Sequence, residues 1–112
     1  MEKKDLLKDV IKHIDIKSYN STELVDAMRN MSFTSRDTAR AADILMMMCK
    51  EKECTNILTL AGSTSAAGFM QVYVDMVRNK KIDVVVATGA SIIDMDLFEA
   101  LGYKHYIGEK EN

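Results

Sequence analysis

Two loops of small and hydroxyl-bearing residues carry most of the chemistry available to this sequence. Ala61-Gly62-Ser63 follows an apolar run at 57–60, and Thr88-Gly89-Ala90 follows a second apolar run at 84–87. Small side chains would let a phosphate reach backbone N–H groups where a helix begins, with Gly62 and Ser63 nearest to it. Neither loop matches G-x-G-x-x-G or G-K-[ST], the usual dinucleotide and P-loop motifs. A tight strand-to-helix turn without any ligand explains the first loop equally well.

Two acids follow the second loop. Asp94 and Asp96 could cap the short helix that comes next, or accept hydrogen bonds from ribose hydroxyls or from a cationic amine. A hydroxyl and an acid beside a loop that admits phosphate would fit a nucleotide with a basic co-substrate. No histidine lies near a serine or cysteine in either loop, so we predict no catalytic triad and assign no catalytic residue.

The cysteines and histidines do not form a metal-binding pattern. Cys49 and Cys54 are the only cysteines and lack a second pair of ligands, so we predict buried free thiols and no metal. His105 is expected to be packed or hydrogen-bonded inside a strand. His13 is expected to face solvent near the end of a helix.

The elements around the loops form a β–α–β unit. The apolar runs predict two strands, and an amphipathic segment from Ala66 to Asn79 predicts the helix between them. Such a unit pairs its strands in parallel and wraps right-handed. Ligands of open parallel sheets bind beyond the carboxyl ends of the strands, so both loops should meet at one edge.

The rest of the chain predicts further helices and one more strand. About three amphipathic helices precede the sheet, over roughly Lys4–His13, around 24–31, and from Arg36 to about Lys50. A short helix from Met95 to Leu101, closed by Gly102, precedes a third strand at 103–107. The predicted class is therefore α/β with a parallel sheet. Three strands would leave a sheet edge and apolar surface uncovered, so we expect an incomplete fold.

Composition narrows the classes of partner. The 112 residues carry a net charge of −2 with acids and bases interspersed, which gives no basic surface for nucleic acid or an anionic membrane. No apolar segment approaches the roughly 20 residues of a membrane span. The amino terminus is charged and is not a secretory signal, so we expect a cytoplasmic protein. Nine methionines, densest at 46–48, are typical of a core or a subunit interface.

Five segments, taken in order with the gaps between them, resemble the deoxyhypusine synthase family, above all its archaeal and bacterial synthase-like branch. They cover nearly the whole chain, which is more specific than either loop alone. The segments are DAMR at 26–29, FTSRD at 33–37, LTLAGS at 58–63, ATGASIID at 87–94 and FEALGYKHY at 98–106.

The resemblance implies a Rossmann-like subunit, with 1–53 as a helical segment and 54–112 as the first part of an NAD-binding domain. The family oxidises spermidine, carries its aminobutyl group on an enzyme lysine as an imine, and transfers it to a lysine of the translation factor that becomes hypusine. Some relatives transfer the group to putrescine and form homospermidine.

The resemblance also implies roles for residues of both loops. Ala61, Gly62 and Ser63, with Thr88, Gly89 and Ala90, fall at the family's two NAD-contacting loops, and Asp94 or Asp96 falls at the acidic position after the second. Eukaryotic members carry Thr-Ser-Asn and Thr-Ala-Gly in these loops. Side-chain contacts from the first loop should therefore differ here more than backbone contacts.

The family's catalytic lysine lies in a Trp-Gly-Lys context of its carboxyl-terminal portion, and this sequence has no tryptophan. We assign that role to neither Lys104 nor Lys110. We therefore expect an amino-terminal portion of a transferase, inactive alone and part of a homo-oligomer. The alternatives are a homospermidine synthase-like portion, a non-catalytic short partner of a longer homologue, and an unrelated nucleotide-binding module.

Overall fold

The computed structural model describes residues 2–108. Its amino-terminal half contains α1 (Lys3–Leu6), a 3₁₀ turn (Ile16–Ser18), α2 (Thr22–Met28) and α3 (Phe33–Lys50). The predicted first helix is wrong beyond Leu6. Residues 9–14 instead form an extended segment, the strap, which pairs with the other end of the chain. Ile11 N–H donates to the His105 carbonyl at 2.9 Å, and Ile107 N–H donates to the Asp9 carbonyl at 2.8 Å.

The sheet contains β1 (Ile57–Leu60) and β2 (Val84–Ala87), paired in parallel as predicted, with Ile57 opposite Val84. A π-helical turn (Ser65–Phe69) and α4 (Met70–Arg78) connect the strands. After β2 the chain is helical through α5 (Gly89–Ser91), a π-helical segment (Ile92–Leu97) and α6 (Phe98–Ala100). The class is therefore α/β, with a two-stranded sheet within residues 2–108.

The predicted third parallel strand at 103–107 is wrong. Tyr106 forms only an isolated antiparallel bridge, with Val10 of the strap. Gly102 does end the preceding helix, with φ +95°. Its N–H donates to the Glu99 carbonyl, and Tyr103 N–H donates to the Phe98 carbonyl, which is the Schellman arrangement. The reversal sends residues 103–107 back to the strap and away from the sheet.

Gly68 fixes the strap to the turn that follows β1. It lies at φ +105° inside the π-helical turn, where residues with a Cβ are strained. Its carbonyl accepts the Ile14 N–H at 2.9 Å, and a Cβ on Gly68 would lie 3.2 Å from the Lys12 carbonyl oxygen. Glycine at this position therefore permits the close approach of the strap.

The chain is open and has little core. Its radius of gyration is 17.2 Å, whereas a compact domain of this length has roughly 13 Å. Within residues 2–108 the buried hydrophobic side chains are Ala39, Ile82 and Met95. Cys49 and Cys54 are free but only half-buried, so the prediction that they are buried is wrong. No helix among these residues has the length and apolar character needed to cross a bilayer.

Candidate functional site

The two loops meet at the carboxyl edge of the sheet. Thr88 N–H donates to the Leu60 carbonyl at 3.2 Å, which continues the pairing of the strands into the loops. One turn later, the Ser91 hydroxyl donates to the Gly62 carbonyl at 2.8 Å. Ser91 is completely buried but Gly62 is exposed, so this hydrogen bond is only partly shielded from water. We call the cleft between 61–63 and 88–90 the crevice.

The crevice backbone is open to a ligand. Gly62 adopts φ +75°, and a Cβ added to either Gly62 or Gly89 would have no described atom within 4 Å. The exposed crevice residues include Ala61, Ser63, Thr88, Gly89 and Ala90. Thr88 precedes the first turn of α5, but its side chain makes no capping hydrogen bond with the described residues. The Ser91 and Ile92 N–H groups donate to the Thr88 carbonyl, so the N–H groups of Gly89 and Ala90 are the ones that an anion could reach.

The two candidate acids, Asp94 and Asp96, lie in different surroundings. Asp94 is exposed. Asp96 is half-buried and lines a cavity of about 330 Å³ between α4 and the sheet, whose wall includes Leu60, Tyr73 and Val85 but none of the crevice residues. Its Oδ1 is buried without a hydrogen-bond partner in the described part of the chain. Neither acid is the N-cap of a described helix between Gly89 and Ala100, so the capping interpretation is wrong for both.

Three buried or inward-facing hydroxyls near the crevice have no role that the sequence predicts. Ser91 joins the loops, as described above. Ser65 is completely buried, and its Oγ has no partner within residues 2–108; the same holds for the buried Oγ1 of Thr64. The only signal in the sequence is a high density of hydroxyl residues after each strand. Such a signal does not reveal which hydroxyls point inward.

A second polar cluster joins the strap to α6. One carboxylate oxygen of Glu99 accepts a hydrogen bond from His13 Nε2 at 2.6 Å, and the other accepts one from His105 Nδ1 at 2.8 Å. We call these three residues the clasp. His105 is hydrogen-bonded, as predicted. The prediction that His13 faces solvent is wrong, because the strap is extended and turns this ring towards α6.

The clasp carboxylate is held in its charged form. Burial raises the pKa of Glu99, but the hydrogen bonds from His105 and His13 outweigh burial and leave the pKa below the ordinary 4.5. His13 Nδ1 is buried and has no partner among the described residues, whereas Nε2 contacts the Glu99 carboxylate. No group of three or more His, Cys, Asp or Glu in residues 2–108 is arranged to hold a metal ion.

An ion pair provides a second connection between the amino-terminal segment and the β–α–β unit. Lys17 Nζ lies 2.9 Å from Oδ1 of Asp75, a buried residue of α4. The hydrogen bond from Lys17 is the main cause that lowers the pKa of Asp75 below 3.8. Lys17 thus ties α4 to the amino-terminal segment, and the clasp ties α6 to it.

Comparisons with known proteins identify the family. The sequence model of the family "Deoxyhypusine synthase" matches residues 23–112. A deoxyhypusine synthase-like protein of Caulobacter vibrioides is 62% identical over 105 residues, which are 94% of this chain and 29% of that protein. A deoxyhypusine synthase-like protein of Coxiella burnetii is 53% identical over 106 residues, which are 95% of this chain and 30% of that protein.

A more distant relative is a probable deoxyhypusine synthase 2 of Methanosarcina acetivorans, which is 38% identical over 95 residues and covers 85% of this chain and 27% of that protein. No solved structure matches. The chain spans less than a third of the length of each of these curated relatives. It belongs to the deoxyhypusine synthase family and corresponds to the amino-terminal portion of its members.

Proposed function

We propose that this chain supplies part of the NAD site of a transferase that moves the aminobutyl group of spermidine to a lysine of the hypusine-containing translation factor. In this proposal residues 54–112 are the first part of a Rossmann-like NAD-binding domain, and 1–53 are a helical segment that supports it. The observation that carries the proposal is the meeting of the two loops at the carboxyl edge of a parallel β–α–β unit. This edge is where such sheets bind ligands.

The crevice residues fit NAD. The space beyond Gly62 and Gly89 would admit a pyrophosphate to the backbone, and the N–H groups of Gly89 and Ala90 could donate to its oxygens. Ala61, Ser63, Thr88 and Ala90 would complete the walls. When bound, NAD would accept a hydride from spermidine.

The two acids would have different roles, because they lie in different surroundings. Asp94 is exposed and is free to accept a hydrogen bond from a ribose hydroxyl or from a spermidine amine. Asp96 faces the cavity beside α4, and its unpartnered Oδ1 would be satisfied there by a donor that is not among residues 2–108. Asp94 is therefore the stronger candidate for direct contact with NAD or spermidine.

We further propose that the chain is inactive by itself. The transfer needs an amine nucleophile as carrier, and the family resemblance places that lysine in the portion of the relatives that lies beyond the matched residues. Oxidation and cleavage of spermidine by the purified chain, without another protein, would refute this part of the proposal.

The experiment that tests the crevice is a titration of the chain with NAD, followed by saturation-transfer NMR. Gly89→Val should weaken binding at least about tenfold, since the new side chain occupies open space that the ligand needs. Gly108→Val is the matched control, because a Cβ on Gly108 would likewise have no described atom within 4 Å and Gly108 lies outside the crevice. Equal binding by the two variants would refute the NAD site. Activity assays of the completed enzyme with the translation factor or with putrescine would then identify the acceptor.

A further inference from the structure

We infer that the strap sets the separation of the two crevice loops, with His13 and Ile14 as positioning residues that hold the segments following the loops. The effect of the strap on the loops does not depend on any ligand. Its effect on NAD affinity rests on the proposed function.

The first attachment of the strap holds the segment that follows 61–63. Ile14 N–H donates to the carbonyl of the buried Gly68 at 2.9 Å. Ala67, the residue before Gly68, donates its N–H to the Ser63 carbonyl at 3.0 Å, so a hydrogen-bonded turn connects the loop to this attachment. A displacement of the first loop relative to the strap must therefore break a backbone hydrogen bond.

The second attachment holds the segment that follows 88–90. His13 Nε2 lies 2.6 Å from Glu99 Oε2, and the two side chains are only 21% and 15% exposed. The chain is helical from Gly89 to Ala100, so Glu99 lies on the helical segment that begins in the second loop. The contact therefore links the strap to the second loop through helical backbone.

The two attachments come from adjacent residues of the strap. The Cα atoms of His13 and Ile14 are about 3.8 Å apart across one peptide unit, which leaves the bridge between the two segments little slack. The π-helical turn and the π-helical segment also contact each other directly. Separation of the two segments must therefore release at least one end of this bridge.

The other clasp contact does not bridge the segments. His105 Nδ1 lies 2.8 Å from Glu99 Oε1, but the two residues are only six positions apart. This contact fastens α6 to the reversal that follows it. His13 and Glu99, in contrast, are 86 positions apart, so only their contact joins α6 to the strap side chains.

The bridge has a consequence for binding. A ligand that needs the loops at their observed separation binds with an affinity proportional to the fraction of molecules in that arrangement, and the strap raises this fraction. By thermodynamic linkage, a ligand bound in the crevice must stabilise the strap by the same factor.

The test of the bridge is amide hydrogen exchange in the full chain without ligand. Thr88 N–H, which donates to the Leu60 carbonyl where the loops meet, reports their opening. His13→Ala should speed its exchange at least about fivefold. His105→Ala is the matched control, because it removes the same group from the same carboxylate, and it should change this rate less than about twofold.

Equal effects of the two histidine variants, or an unchanged rate in His13→Ala, would overturn the inference. If His13→Ala does not fold, Gly68→Ala disturbs the other attachment and should speed the exchange of Thr88 in the same way. An unchanged Thr88 rate in Gly68→Ala would also overturn the inference.

The linkage to NAD is measured in the unmodified chain. Saturating NAD should slow the exchange of Ile14 N–H at least about fivefold. It should leave Val25 N–H, which donates to the Ser21 carbonyl in α2, unchanged. An unchanged Ile14 rate in the NAD complex would overturn the inference. Absence of NAD binding would instead refute the proposed function, and the Thr88 measurement would still decide the inference.

Discussion

Glu99→Gln should loosen the strap. The glutamine retains one carbonyl oxygen as acceptor and presents an NH₂ group to the other imidazole, so one of the two clasp hydrogen bonds is lost. A hydrogen bond to a charged group contributes about 1.5–3 kcal/mol. The Glu99 side chain is only 15% exposed, so water replaces the lost bond poorly. The opening equilibrium of the strap should therefore rise roughly 10- to 100-fold.

Amide hydrogen exchange reports this opening directly. Two backbone hydrogen bonds join the strap to residues 105–107, donated by Ile11 and by Ile107, and their N–H groups should exchange faster in Glu99→Gln by the factor given above. Glu23→Gln makes the same chemical change at an exposed position of α2 and should leave both rates unchanged. A change of less than about threefold in Glu99→Gln, or an equal change in the control, would refute the role of the clasp.

The pH dependence follows from the lowered pKa of Glu99. A carboxylate whose pKa is lower in the folded state contributes its full stability above its unfolded pKa, and this contribution is lost as the pH falls through the folded value. The Ile11 amide should therefore stay protected above the ordinary 4.5 and lose protection below it, after correction for the intrinsic exchange rate. Glu99→Gln should not show this acid transition. An acid transition of the same size in the variant would assign it to other groups.

Three further substitutions test the remaining contacts. Ser91→Ala removes the hydrogen bond between the two loops and should lower the free energy of unfolding by about 1 kcal/mol in urea denaturation. Gly68→Ala places a Cβ at φ +105° and 3.2 Å from a strap carbonyl, and should cost about 1–3 kcal/mol, whereas Gly108→Ala, in open space, should cost little. Lys17→Gln removes the main partner of Asp75 and should raise its pKa towards 3.8, which NMR titration of the carboxyl carbon measures.

The sequence predicts the parts of the fold that depend on local pattern. The apolar runs at 57–60 and 84–87 and the helix between them impose parallel pairing by geometry alone, and Gly102 supplies a recognisable helix end. The helical periodicity of residues 4–13 is equally clear but does not determine the structure. There the backbone N–H and carbonyl groups of the strap pair with residues 105–107, and tertiary pairing outweighs local propensity.

The candidate site also has one part that the sequence predicts and one part that it does not. The meeting of the loops follows from topology and is predictable. The clasp is not, because His13 and Glu99 are 86 residues apart, and no spacing rule relates them. The direction of the Ser91 hydroxyl also depends on the exact phase of a helix that begins only two residues earlier. Hydrogen bonds between distant elements therefore need coordinates, whereas the location of the crevice does not.

The valines of β2 connect the sequence argument to the structural one. An unbroken apolar run predicts a strand covered on both faces, yet these residues remain 41–55% exposed within the described chain. The two statements agree if the covering layers come from polypeptide outside residues 2–108, which is what the length of the relatives indicates. The crevice needs no such covering for its two loops to meet, because the Ser91–Gly62 hydrogen bond already joins them. Completion of the sheet at β2 should thus stabilise a preformed crevice and leave the contact between its loops unchanged.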